Sequence, residues 1–286
     1  MSDGSERAVV IVDNPRTGEE LYRFEEPLPE EVEGMYARAR AAQAVWGGYS
    51  VERRMRELAK LKKYLLENRF AIAEKIVAET GKALTDAMMM ELFSSIDTID
   101  FYERHAPKML AEKTMGTPIM LAGKKSKVFY DPMGVVLIIS PWNYPFNLSF
   151  VPALNALIAG NAVLLKPSRY TPLKGVIEEM IEKSGFMKDL FQVVYASRKT
   201  AGALIDARPD KIHFTGSVAV GRHIMKQASE KLIPVELELG GKDPFIVFDD
   251  VNLERTVNGA LWGTYANCGQ TCISVERIFV QDTIYD

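Results

Sequence analysis

The sequence predicts an α/β protein built on a doubly wound parallel sheet, with a run of helices in front of it. Two observations lead there. From Val135 onward, short apolar runs with little polar alternation are separated by stretches of helical periodicity. Strands that apolar are covered on both faces, as in a parallel sheet between two helical layers. Before Pro118, apolar residues instead recur every three or four positions, the period of helices with one buried face.

In the N-terminal part, Val32, Met35, Tyr36, Ala39, Ala42 and Trp46 mark one helix, and Met55, Leu58, Leu61 and Leu65 a second. A third is expected over Lys82–Lys113. Its methionine run, Met88–Met90, is expected to fill core gaps, because flexible thioethers suit irregular spaces. Between Pro118 and Pro132 short, partly alternating segments around Gly123-Lys124-Lys125 read as a hairpin. Strands then follow at Val135–Ser140, Ala162–Lys166, Phe191–Tyr195, Ile212–Thr215 and Val235–Leu239. Helices are expected between them at Asn147–Ile158, Pro172–Ser184, Thr200–Asp206 and Val218–Lys231. A last group comprises strand Phe245–Phe248, helix Leu253–Ala266 and strand Val275–Gln281.

The 286 residues are enough for one large domain or two ordinary ones. A net charge of -3, with basic and acidic residues interspersed, argues against nucleic acid as a partner. No apolar stretch approaches the length of a membrane span, the longest candidate being Gly134–Ser140. The polar start Met1-Ser2-Asp3-Gly4 has no secretory pattern. Two cysteines, Cys268 and Cys272, make no disulfide framework, so a cytoplasmic, reducing setting is expected. The three histidines have no metal-ligand spacing, and no metal is expected.

Four segments carry potential chemistry. Ser140-Pro141-Trp142-Asn143-Tyr144-Pro145 leaves a strand and meets a helix, at the strand end where open α/β sheets bind ligands. The amide of Asn143 there is either an oxyanion donor or a helix cap. Lys166-Pro167-Ser168 ends the next strand, and its lysine either meets a ribose or phosphate or is merely solvated. In Phe214-Thr215-Gly216-Ser217-Val218-Ala219-Val220-Gly221, glycine and a helix N-terminus suit a phosphate. A plain strand–helix turn would read the same way, for this is not the three-glycine fingerprint. Finally, Glu238-Leu239-Gly240-Gly241-Lys242 and Gly269-Gln270-Thr271-Cys272 could bring a carboxylate and a thiol into one cleft, for attack on a carbonyl followed by hydrolysis. A lone cysteine is as readily an inert packing residue.

In order and spacing these segments resemble the NAD(P)-dependent aldehyde dehydrogenase superfamily. The likeness covers nearly the whole chain, beginning at Asn14-Pro15-Arg16-Thr17-Gly18-Glu19 and continuing through Glu79-Thr80-Gly81-Lys82. It implies a Rossmann-like coenzyme-binding domain from residues 1–117 and 134–241. Residues 118–133 would form a hairpin used in oligomerisation, and 242–286 the start of an α/β catalytic domain. It further implies that Cys272 is the nucleophile, that Asn143 holds the oxyanion, and that Glu238 activates water. Ile139, Ser140, Pro141, Trp142, Lys166, Ser168, Arg169, Gly216, Ser217, Gly221, Leu239 and Gly240 would meet NAD or NADP.

Three departures from the family pattern stand out. Arg169 occupies a position where many NAD-preferring members carry a glutamate, which suggests use of NADP or of both cofactors, the alternative being that Arg169 points to solvent. Cys268, four residues before the nucleophile, is expected to be a small buried packing residue, with a reversible disulfide to Cys272 as the alternative. The chain also ends 14 residues after Cys272, where complete relatives, which the resemblance implies are homo-oligomers, continue. The resemblance thus implies oxidation of a small-molecule aldehyde to an acid by a fragment, a truncated product, or a chain with a separate C-terminal half. The alternative is a catalytically incompetent cofactor-binding or interaction fragment. Val247, Leu261 and Ile278 are expected to lack packing partners.

Overall fold

A computed structural model describes residues 7–285; the polar start lies outside them. The first element is a hairpin that the sequence reading missed. Strands β1 (Val9–Asp13) and β2 (Glu20–Glu25) pair antiparallel across the Asn14–Glu19 turn. The signal was present in the alternating burial of the second strand and in Asn14, whose side chain accepts from the Arg16 N–H and closes an Asx-turn.

Two long helices follow, α1 (Val32–Gly47) and α2 (Val51–Thr80). Ser50 caps α2 by accepting from the Arg53 N–H, and Gly81 ends it at φ 74°, a left-handed turn that favours glycine. The next stretch is not the single helix expected over Lys82–Lys113. It is a short α3 (Leu84–Asp86), a π-helical turn over Ala87–Phe93, and α4 (Ser94–Met109). The wide turn re-aims its side chains. Glu91 and Leu92 point inward, whereas Met89 is exposed, so the methionine run does not simply fill the core.

The hairpin expected at Pro118–Pro132 is displaced. Its strands are β3 (Lys113–Met115) and β4 (Ser126–Val128), flanking a tight turn at Ile119–Leu121. Pro118 has no N–H to extend the ladder, so pairing begins before it.

The central sheet contains β5 (Val135–Ile139), β6 (Ala162–Lys166), β7 (Phe191–Val193), β8 (Lys211–Gly216) and β9 (Val235–Leu239). They are parallel, in the order β7-β6-β5-β8-β9. The connections α5 (Asn147–Ile158), α6 (Val176–Ser184), α7 (Arg198–Asp206) and α8 (Val218–Ser229) make it doubly wound. Every residue of β5 is buried, as expected for the innermost strand of a covered sheet. Strand order reverses between β5 and β8, so the crevice at their carboxyl ends is the place for a ligand.

His213 on β8 is largely buried. Burial pushes its imidazole below the ordinary range, against the raising pull of Glu236 and Glu238 and with Lys211 lowering it further. The fold therefore favours the neutral ring. Its contribution to stability is full above about pH 6.5, the unfolded value, and is lost as pH falls from there through the lower folded value. A His213→Gln chain is expected to lose less melting temperature than the parent between about pH 7.5 and about pH 5.5. Equal losses in thermal melts would exclude His213 as the cause.

Beyond the sheet, β10 (Asp243–Val247), α9 (Leu253–Tyr265) and β11 (Val275–Val280) form a right-sized β-α-β unit whose two strands pair in parallel. Leu261 and Ile278 are exposed there as expected, but Val247 is buried.

Candidate active site

The ends of β5, β6, β8 and β9 set out the first part of the site. Register places Ile139 opposite both Lys166 and Phe214, and Gly216 opposite Leu239. Lys166 is largely buried, and burial lowers its ammonium below the ordinary range. Among the described residues its Nζ makes no hydrogen bond, whereas its carbonyl accepts from the Ser140 N–H at 3.1 Å, so a ribose hydroxyl at this strand end would meet an under-solvated donor. Glu26 lies close enough to oppose that lowering, and its carboxylate accepts from the Ser197 N–H at 2.7 Å.

A side chain on Gly216 would put its Cβ 2.5 Å from the Phe214 ring, and one on Gly221 would lie 3.0 Å from Leu239. Both glycines thus allow β8, α8 and β9 to close up. Ser217 caps α8, accepting from the Val220 N–H at 3.4 Å. The first turn of α8 is exposed, so its remaining N–H groups and the positive end of the helix face outward, an arrangement that fits a pyrophosphate.

Other expected cofactor residues contribute less directly. The Ser140 hydroxyl is buried against Ser149 at 2.7 Å, and the Ser168 hydroxyl accepts from the Tyr170 N–H. Both side chains shape their turns, and the Ser168 hydroxyl keeps its own O–H to donate. Ile139 is buried, Pro141 half-buried, Leu239 half-buried and Gly240 exposed. Trp142 is 44% exposed, and its carbonyl accepts from Thr171, tying the loops after β5 and β6 together. Arg169 is exposed, with its guanidinium 4.9 Å from the centre of the Tyr170 ring.

The second part of the site is the loop carrying Cys272. Asn143 Nδ2 donates to the Gln270 carbonyl at 2.8 Å, and the Tyr144 hydroxyl meets that of Thr271 at 2.8 Å. The Cys272 carbonyl accepts from the Gly241 N–H at 3.3 Å. Gly241 lies three residues after Glu238. The loops bearing Asn143 and Cys272 and the turn that follows Glu238 on β9 are therefore stitched together, although Asn143 and Gln270 are 127 positions apart. An amide nitrogen carries two hydrogens, so Asn143 keeps one beyond its bond to Gln270. Cys272 and Glu238 are exposed, open to a substrate.

The turn before Cys272 departs from ordinary backbone. Asn267 and Cys268 adopt φ 55° and 59°, the left-handed region. Fully buried Asn267 holds them there. Its Nδ2 donates to the carbonyls of Asn143 and Gln270, and its N–H donates to Asp86. Cys268 is exposed, its Sγ 4.0 Å from the Gly81 carbonyl; it is not the buried packing residue expected, because the left-handed turn swings it outward.

Sequence reasoning missed Lys82 and Glu91. Their side chains are fully buried, with Lys82 Nζ 2.5 Å from Glu91 Oε1. Lys82 also donates to the Asn143 carbonyl at 2.8 Å, and Glu91 Oε2 accepts from the N–H groups of Phe146 and Asn147. Burial pushes the Glu91 carboxyl up and the Lys82 ammonium down, with their mutual attraction opposing both. A charge at Lys82 was visible in the sequence, but nothing local marked Glu91 as its partner.

Comparison with known proteins matches the aldehyde dehydrogenase family over residues 2–286. The chain is 39% identical over 274 residues to a 4,4'-diapolycopene aldehyde oxidase of Methylomonas sp, covering 95% of this chain and 52% of that protein. An NADP-dependent enzyme of E. coli superposes with a TM-score of 0.91 at 32% identity, over 98% of this chain and 58% of that one. PnpE of Pseudomonas sp. WBC-3, solved with nicotinamide adenine dinucleotide, gives a TM-score of 0.91 at 32% identity, over 98% and 57%. The chain spans about half the length of the curated relatives it matches.

Proposed function

Because the chain belongs to the aldehyde dehydrogenase family, we propose that it contributes the coenzyme-binding half and the nucleophile of a site that oxidises an aldehyde to a carboxylic acid. The observation that carries this reading is the stitching of the Cys272 loop to Asn143 and to Gly241, beside Glu238. In this reading residues 1–117 and 134–241 form the coenzyme-binding domain, with the hairpin between them, and 242–286 begin the catalytic domain.

The Cys272 thiolate adds to the aldehyde carbon, forming the C–S bond and moving the carbonyl π pair onto oxygen. The spare N–H of Asn143 and the Cys272 N–H hold that oxyanion. Accepting the hydride that leaves the thiohemiacetal carbon is the chemistry a bound nicotinamide supplies. Glu238 then takes a proton from water, whose oxygen attacks the thioester and frees the thiolate and the acid. Lys166 fits a ribose hydroxyl, and the exposed start of α8 with Gly216 and Gly221 fits a pyrophosphate. The site acts in the cytoplasm in this reading.

The test follows reduced-cofactor absorbance with a panel of aldehydes, together with intact-protein mass. Cys272→Ala is expected to abolish both turnover and acyl adduct. Glu238→Gln is expected to slow thioester hydrolysis at least about 100-fold and accumulate the adduct. An adduct that persists in Cys272→Ala would refute the assignment.

Arg169 adds a cofactor prediction. Its guanidinium, exposed beside Tyr170, would pair with a 2′-phosphate, which a carboxylate would repel. Arg169→Glu is expected to weaken NADP binding roughly 30-fold and to strengthen NAD binding, since a charged hydrogen bond is worth about 1.5–3 kcal/mol. Unchanged dissociation constants in titration calorimetry would refute NADP preference through this residue.

A second reading has its own support. Leu261, Trp262, Ile278 and Phe279 are exposed on the β10–α9–β11 unit, an apolar surface of the kind that marks an interaction site. In that reading the chain binds cofactor without steady-state turnover, and the aldehyde panel distinguishes the two.

A further inference from the structure

We infer that the buried Lys82–Glu91 pair is a positioning device for the oxyanion donor, clamping the Asn143 loop from both ends; this rests on the reading of Cys272 and Asn143 just given. The loop from Asn143 to Asn147 has its first carbonyl held by Lys82 and its last two N–H groups held by Glu91. The two side chains meet each other at 2.5 Å, so clamp and counter-clamp are one unit. Lys82 also lies 4.6 Å from the centre of the Tyr144 ring, within the clamped loop.

Several features set this pair apart from ordinary core packing. It is fully buried, so water cannot substitute for either partner, and every hydrogen bond it makes to this loop is to backbone. Glu91 reaches the loop from the π-helical turn, a wide turn that recurs at functional sites. The held carbonyl belongs to the same residue whose side chain donates to the Gln270 carbonyl. Movement of the Asn143 backbone by a fraction of an ångström would carry the amide away from the oxygen it is to hold. Donors of this kind act only from a preset position. Lys82 and Glu91 touch no reacting atom, and thiol nucleophilicity does not depend on them.

That separation supplies the test. Acetyl transfer from p-nitrophenyl acetate to Cys272 forms a C–S bond, passes through an oxyanion, and breaks the bond to p-nitrophenolate, whose release is read optically. Alkylation of the same thiol by iodoacetamide displaces iodide and forms no oxyanion. Neither needs a cofactor or an oxidant. In the full 286-residue chain, Asn143→Ala is expected to slow acetylation about 100-fold relative to alkylation. Glu91→Gln, and the double variant Lys82→Met with Glu91→Leu, are expected to slow it between about 10- and 100-fold, with alkylation within about two-fold of the parent. Lys82→Arg, which keeps a cation able to bridge both acceptors, is expected to retain most of the acetylation rate.

The double variant replaces both charges with apolar groups of similar shape and is expected to stay folded, which circular dichroism checks. A folded double variant that acetylates like the parent overturns the clamp. So does a parallel fall in both reactions, which marks a general structural role. No acetylation of Cys272 in the parent, or none affected by Asn143→Ala, overturns the reading of the site and the clamp with it.

Discussion

A chain carrying Glu91→Leu alone is expected to lose about 3–5 kcal/mol of unfolding free energy, the cost of leaving one member of a buried ion pair without its partner. Lys82 would remain with its ammonium fully enclosed and only the Asn143 carbonyl to receive it. The N–H groups of Phe146 and Asn147 would lose their acceptor as well. Adding Lys82→Met should recover most of this loss, because removing both charges also removes the cost of desolvating them. Urea unfolding of the two singles and the double measures the coupling directly. A Glu91→Leu chain within about 1 kcal/mol of the parent would mean that water or another group relieves Lys82, and the pair would not be the closed unit described.

Trp46→Ala is expected to cost a similar amount, about 3–5 kcal/mol, by a different route. The indole is 0% exposed, packs edge-on against Phe186 with ring centres 5.6 Å apart, and donates from Nε1 to the Leu157 carbonyl at 2.8 Å. Truncation opens a cavity under α1 and removes one donor from that carbonyl, which keeps the Gly160 N–H at 3.0 Å. For a fold whose total stability is typically about 5–15 kcal/mol, either change removes a large fraction. Trp46→Phe, which keeps much of the ring but not the donor, should lose less. If Trp46→Ala shifts the urea midpoint no more than Trp46→Phe, the cavity is not the source of the cost.

The two residues differ in how readable they were. Trp46 lies on the face marked by Val32, Tyr36 and Ala39, and α1 buries all four. Periodicity alone placed it in the core. The strands of the sheet were legible for the same reason: a segment such as Val135–Ile139 has no polar residue to turn toward water. Asn143 and Cys272 could be singled out because each lies beside a regular element in a loop rich in proline or glycine, and Glu238 because it lies at the end of β9, just before Leu239-Gly240-Gly241. The β1–β2 hairpin went unread because one flanking strand, Val9–Asp13, opens with four apolar residues while being mostly exposed, so its burial and its composition disagree.

What the sequence determined by itself is the alternation of strands and helices from Val135 onward, the buried faces of α1 and α2, and the resemblance that pointed to the family. These depend on residues close together in the chain, where a repeat of two or 3.6 is a direct consequence of backbone geometry. The tertiary structure alone decided that Glu91 turns inward, that Lys82 meets it and the Asn143 carbonyl, and that Asn267 holds a left-handed turn before Cys272. Each of those depends on contacts across 9, 61 or 124 positions. A buried charge is tolerable only where a distant group neutralises it, and that pairing leaves no period in the sequence to read.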